Sequence, residues 1–250
     1  CVAHTLQLAV IDGLKKAKID EITTVCNKLV GYFHHSTVAM KALEEKQRMT
    51  SILQHRLFVF CCTRWNSVCD MFNRLCEQRP AISAVLADRN ITKHAEERKL
   101  ALQHDQWQVI QEILPVLQAL KCATRALSAD MYVSVSNVFP VMHALITSHL
   151  QPSEDDSATV DFFKEEVRRS LTQRLFGASV PMTSKLPVIS AFFDPRHKHL
   201  CFLSDPDKLA VKEHVFNLMS ARVEETVDRQ LEIEIVSVSN IPEDDVADEQ

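Results

Sequence analysis

Three glycines in 250 residues constrain this chain more than any other feature. An average globular protein uses about 7% glycine. Strand-rich folds and phosphate-cradling loops both consume glycine, for its positive φ and for close backbone approach. A chain this poor in it is expected to be mainly helical. Apolar spacing agrees. In residues 1–17, Leu6, Leu8, Val10, Ile11 and Leu14 mark a helix, with His4, Leu8 and Ile11 on one face. Asp20 is placed to cap a second helix, in which Ile22, Val25, Cys26, Leu29, Val30 and Phe33 recur, and the pattern runs on to about Met49.

The exception is Leu57-Phe58-Val59-Phe60-Cys61-Cys62, short, aromatic and β-branched, which reads as a buried strand. Helical spacing resumes from Asn66 to Gln78, and Pro80 sits where a helix would restart. Residues 88–105 are polar, a connecting helix or loop. Trp107, Ile110, Leu114, Leu117 and Leu120 mark a long helix with Pro115 as a possible kink. Val135 to Leu150 reads as one more helix. Ser153 and Asp156 resemble a capping box in an acidic turn. Val160, Phe163, Val167, Leu171 and Leu175 form one face of the next helix. Asp194-Pro195 and Asp205-Pro206 each have the form of an N-cap followed by proline. The last helix is expected from about Pro206 to Glu232, with periodicity lost beyond Ile233.

Charge is unevenly spread. Residues 1–100 hold 15 Lys/Arg against 10 Asp/Glu, and residues 201–250 hold 4 against 13. The basic end could lie near a polyanion, or it could be an ordinary solvated surface. Eight scattered cysteines form no paired framework, which favours a reducing compartment. No apolar run approaches the roughly 18 residues of a membrane span. Cys1 opens in the middle of an amphipathic pattern, so the chain is expected to be a piece of something larger.

Candidate chemistry is sparse. Cys1 and His4, at i and i+3, could supply two zinc ligands, but nothing else supplies the other two at a usual spacing. Arg64-Trp65 leaves the expected strand and enters a helix. The indole could be core, or a platform for an unstacked base with the guanidinium on a phosphate. Asp194, Pro195 and Arg196 have a structural account: the Asp caps, the Pro starts a turn, the Arg pairs with a carboxylate. No Gly-flanked Ser and no recognisable Cys/His pair supports nucleophilic catalysis. Asp12, Asp20 and Asp70 read as surface or cap positions, not as a metal-binding acidic cluster.

Three motifs nevertheless occur in a telling order. Cys1-Val2-Ala3-His4-Thr5-Leu6-Gln7-Leu8 resembles the C-x-x-H-x-L-x-L segment of hAT-superfamily transposases. Thr63-Arg64-Trp65-Asn66-Ser67, with Met71, Arg74 and Leu75, resembles their T-R-W-N-S followed by M-x-x-R-L. Asp194-Pro195-Arg196-x-Lys198 resembles their D-P-R-x-K, with Phe193 in place of the usual Leu. The chain is most similar to the zinc-finger BED-domain-containing proteins, host proteins derived from such transposases.

The resemblance implies a mainly α chain: a helical insertion domain attached to a fragment of an RNase H-like α/β core. Residues 1–65 would be the edge of that core, two helices and one strand. Residues 66–232 would be the all-helical insertion, and residues 233–250 an acidic disordered linker. The family's three catalytic acids would lie outside this chain, so no catalytic residue and no metal ligand is expected within it. Zinc is expected only in a BED finger of the full-length protein. His4, Arg64 and Trp65 match positions near the active centre and the DNA end. Asp194, Arg196 and Lys198 match a structural motif. DNA is the expected partner, in the nucleus, with a possible homodimer formed through a segment outside this chain and no membrane. The leading reading is a domesticated DNA-binding transcription regulator in which this segment is architectural. A fragment of an active transposase and a helical protein-interaction module are the alternatives.

Overall fold

The structure, a computed structural model, describes residues 2–61, 65–128, 135–177, 181 and 184–239. It divides into two compact units, residues 1–179 and residues 180–250. Among the described residues there are helices and connections but no strand, as glycine scarcity implies.

The first unit contains α1 (Val2–Lys16), α2 (Ile19–His35), α3 (Thr37–Met49), α4 (Asn66–Ala87), α5 (His94–Leu100), α6 (His104–Leu127), α7 (Val138–Ala144) and α8 (Ala158–Phe176). In α1 the deepest residues are Leu6, Ala9, Val10, Gly13 and Leu14, while Leu8 and Ile11 are half-buried. The face holding His4, Leu8 and Ile11 is therefore the shoulder of the helix, not its centre. Against α1 lies α8, whose Val160, Phe163, Val167 and Leu171 are fully buried at the expected helical spacing. Gly13 allows this approach: a Cβ there would stand 2.6 Å from Val167 Cγ2 and 3.1 Å from a Phe163 ring carbon. Lys16 pairs with Glu166 and Arg174 with Asp12 along the rim of the same seam.

The second expected helix is in fact two. Ser36 breaks it, with extended backbone, and its Oγ accepts from the Ala39 N–H at 3.1 Å to cap α3. Asp20 does not cap α2; Lys18, at φ 56°, makes the turn from α1, and Asp20 lies in the first helical turn where its charge suits the dipole. Pro80 and Pro115 do not interrupt their helices. Buried Leu75, Ala81, Ile82 and Val85 on either side of Pro80 anchor α4 strongly enough to absorb the missing hydrogen bond. The segment from Val135 to Leu150 is helical throughout but changes pitch: a 3-10 turn, then α7, then a π-helical stretch from Leu145 to His149. Ser153 and Asp156 do bond to each other, through Ser153 N–H to Asp156 Oδ2 at 3.0 Å, but α8 starts after Ser157.

Residues 57–61 are not a strand. They belong to an irregular arm, residues 52–61, which has no neighbouring strand among the described residues and in which the His55 N–H donates to the Leu53 carbonyl at 2.9 Å; Cys62 lies outside the described residues. Leu57 is buried, yet Phe58 and Val59 are exposed. Nor does the packing divide at residues 65/66. Trp65, α1, α4, α6 and α8 share one hydrophobic core, so residues 1–65 do not stand apart from the helices that follow.

The second unit contains α9 (Leu186–Phe193) and α10 (Asp205–Ser239), which pack on one another. Its buried apolar residues are Val188, Ala191, Leu200, Val211 and Val215. The cap of α10 is Ser204 rather than Asp205: Ser204 Oγ donates to Asp207 Oδ2 at 2.6 Å and accepts from Asp207 N–H at 3.4 Å. The helix continues through residues 233–239, past the expected end at Glu232. The remainder of the expected acidic linker, residues 240–250, lies outside the described residues.

Candidate nucleic-acid interface

The arm and the start of α4 bring together the residues singled out in the sequence. In an arm without a strand partner, backbone groups must be satisfied in another way. Side chains of the surrounding helices do this. From α2, His34 Nε2 donates to the Leu57 carbonyl at 3.0 Å, and Asn27 Oδ1 accepts from the Phe60 N–H at 3.4 Å. From α3, the buried Gln47 amide donates to the His55 carbonyl at 3.0 Å and to Gln78 Oε1 at 2.9 Å. From α4, Gln78 Nε2 donates to the Leu53 carbonyl at 3.1 Å and Arg74 Nη1 to the Arg56 carbonyl at 3.0 Å. Ser67 Oγ closes the end by accepting from the Cys61 N–H at 3.0 Å. The Arg74 guanidinium also covers the Phe58 ring, 4.6 Å from its centroid. His55 Nδ1 lies 2.6 Å from Glu77 Oε1, and Arg74 Nε 3.0 Å from Glu77 Oε2.

Trp65 stands where the arm feeds α4. It is 2% exposed, and its indole Nε1 is buried with no hydrogen-bond partner. This corrects the expected base-stacking platform. The indole belongs to the core, because α4 carries Val68, Cys69, Met71 and Phe72 inward directly after it. Beside it opens a cavity of about 400 Å³, lined by Trp65, Phe60, Leu14, Asn27, Asp20 and Lys15, among others. A second hollow, of about 170 Å³, lies under the arm against Phe33, Leu43, Gln47 and Leu57.

His4 is exposed on α1 and does not line the cavity at Trp65. Arg64 and Cys1 lie outside the described residues. The structure thus does not gather His4 and Trp65 into one site. The residues it does add are Lys15, Asn27 and Phe60. Their signal in the sequence was weak, since only the fold shows that α1, α2 and the arm meet there. Lys15 on α1, Lys18 in the turn between α1 and α2, Lys28 on α2 and Lys41 on α3 are exposed cations.

In the second unit, the D-P-R-x-K motif is a local turn. Asp194 Oδ1 accepts from the Arg196 N–H at 3.0 Å and from Arg196 Nε at 3.0 Å, and Oδ2 accepts from Nη2 at 2.7 Å. The carboxylate that pairs with the arginine is the capping aspartate itself. These hydrogen bonds, with the attraction of the charges, raise the Arg196 pKa further. Leu200, at φ 47°, ends the turn with its side chain buried, and Lys198 points to solvent.

Three of the cysteines are poor nucleophiles or ligands. Burial pushes the Cys26 thiol up to about 12 and the Cys69 thiol up to about 11, and raises Cys76 as well. Among the described residues no group of three or more His, Cys, Asp or Glu side chains could hold a metal ion. No helix among the described residues is long and apolar enough to cross a membrane.

Comparison with known proteins agrees with the three motifs. A family model described as the ZBED1 RNase-like helical domain matches residues 1–116. The human zinc finger BED domain-containing protein 4 is 25% identical over 206 residues, 82% of this chain. The chain spans 17% of that relative's length. The chain is thus similar in sequence to the zinc-finger BED-domain-containing proteins.

Proposed function

We propose that this chain is the architectural helical segment of a nuclear, DNA-binding protein domesticated from a transposase, with a role in transcription regulation. It braces the functional core and carries no reactive centre of its own. Zinc, in this reading, is held by a BED finger elsewhere in the full-length protein. The observation that supports it most is the arm. Residues 57–61 have the composition of a sheet strand and expose Phe58 and Val59 while helices pin the arm. That is the form expected of an edge strand of an RNase H-like core. The buried Trp65 then fixes the angle at which the arm enters α4. DNA contact falls to charge: Lys15, Lys28 and Lys41 on the exposed sides of α1 to α3 and Lys18 in the α1–α2 turn, with His4 at the start of α1.

The test is binding of the chain to duplex DNA across a salt series. Phosphate contacts predict a linear fall of log K with log salt, with a slope of about −0.9 per phosphate neutralised. Replacing Lys15, Lys18 and Lys28 together by Glu should abolish binding and leave the helical circular-dichroism spectrum intact. Binding that is indifferent to salt, or that survives the triple replacement, would overturn the DNA-binding part of the proposal.

A further inference from the structure

The turn that leads into α8 has no part in the arm or in the cavity at Trp65. Ser153 opens it, directly followed by Glu154, Asp155 and Asp156. Ser153, Glu154 and Asp155 are exposed. The backbone of Ser153 is fixed on both sides: its N–H donates to Asp156 Oδ2 at 3.0 Å, and its carbonyl accepts from the Asp156 N–H at 3.1 Å. Its hydroxyl makes no hydrogen bond among the described residues. No other described serine or threonine is followed by three acids. In the near matches the hydroxyl is already engaged. Ser204, before Asp205-Pro206-Asp207, holds Asp207 as the cap of α10, and Ser67, three residues before Asp70, is bonded to Cys61.

Beneath the turn lies Lys164, a buried cation of α8. Its Nζ donates to Asp156 Oδ2 and to the Gln151 carbonyl, the latter at 3.2 Å. Asp156 Oδ2 is thus shared between Lys164 and the Ser153 N–H. Glu112 reaches the end of the turn from α6, where its Oε2 accepts from the Ser157 N–H at 3.0 Å. Four carboxylates therefore stand on or against this turn, and Lys164 is the cation bonded within it.

Protein kinases choose acceptors partly by the charges around them. Acids at the three positions after a serine complement a basic substrate cleft. A free hydroxyl on an exposed loop can enter one. We propose that Ser153 is a phosphorylation site for an acid-directed protein kinase, and that the phosphate releases the turn at the start of α8. The γ-phosphoryl group of a nucleoside triphosphate passes to Ser153 Oγ. The new O–P bond forms as the bond to the departing nucleoside diphosphate breaks, and the hydroxyl proton goes to the kinase's catalytic carboxylate. The product brings a charge of about −1.5 to −2 beside Asp156. Asp156 then yields Lys164 to the phosphate or is repelled by it, and either way its bond to the Ser153 N–H is lost. This inference does not rest on DNA binding.

The test incubates the chain with a nucleoside triphosphate, Mg²⁺ and an acid-directed serine/threonine kinase, with an arginine-directed kinase in parallel, and maps the product by mass spectrometry. The expected result is one phosphoryl group, on Ser153, from the acid-directed enzyme alone. Ser153→Ala should abolish it. Glu154→Lys with Asp155→Lys, both at exposed positions, should abolish it too, with Ser153 intact and the helical circular-dichroism spectrum unchanged. Amide exchange in residues 150–157 should be faster in the phosphorylated chain. No transfer to Ser153, or equal transfer by both kinases, would overturn the site. Transfer that persists in the double-lysine variant would overturn acid direction, and unchanged exchange after phosphorylation would overturn the release of the turn.

Discussion

The seam between α1 and α8 and the arm at residues 52–61 solve the same problem differently. Both carry apolar residues that water does not favour. At the seam, Leu6, Val10, Phe163 and Val167 lose all contact with solvent, and Gly13 brings the helix axes close enough for that. Backbone hydrogen bonding there is internal to each helix, so the buried centre of the seam needs only shape. The arm has the more hydrophobic sequence, yet Phe58 and Val59 remain outside. An irregular arm satisfies little of its own backbone, so its fixing depends on donors and acceptors lent by His34, Asn27, Gln47, Arg74 and Gln78. Helical burial rests on packing, whereas this irregular segment rests largely on borrowed polar groups. Only the first is visible as periodicity.

Breaking the seam should cost most. Phe163→Ala removes a fully buried ring and is expected to destabilise the chain by about 3–5 kcal/mol, read by urea unfolding. Gly13→Ala adds a single methyl into Val167 and Phe163. Its expected cost is about 1–3 kcal/mol, and Val167→Ala in the same chain should recover part of it. Breaking the arm should cost less and act locally. Gln47→Leu leaves Gln78 Oε1 and the His55 carbonyl without their donor, for about 1–3 kcal/mol. Amide exchange in residues 52–61 should then accelerate before exchange in α1 or α8 does. Val59→Ser, at an exposed arm position, should stay within about 0.5 kcal/mol of wild type. A Val59→Ser cost as large as that of Phe163→Ala would erase the contrast between the two regions.

How much of this was legible follows from the same physics. The faces of α1, α6 and α8 could be read because burial repeats with the helix. The mainly α class followed from three glycines. The break at Ser36 left two signals: at 100° per residue Ala39 and Leu43 fall roughly 130° around the helix from Val30 and Phe33, and Ser36 is itself a capping residue. The arm was misread as a strand because composition reports that a segment is extended and apolar, but not whether a neighbour exists to pair with it. For the candidate site, the Asp194–Arg196 pair was legible because both partners lie within one turn. The burial of Trp65 was not: an Arg-Trp pair has the same letters whether the indole faces a base or a core. Lys15, Asn27 and Phe60 come together through three separate elements, and no local pattern announces that.

The central claim is that Trp65 braces the fold where the arm joins α4. Thermal unfolding and DNA affinity of Trp65→Ala and Trp65→Phe, measured side by side, test it most directly. The account predicts a large loss of melting temperature for Trp65→Ala and a small one for Trp65→Phe, because the indole N–H has no partner to lose. It also predicts unchanged DNA affinity for the folded fraction. A Trp65→Ala chain that melts like wild type but no longer binds DNA would contradict it.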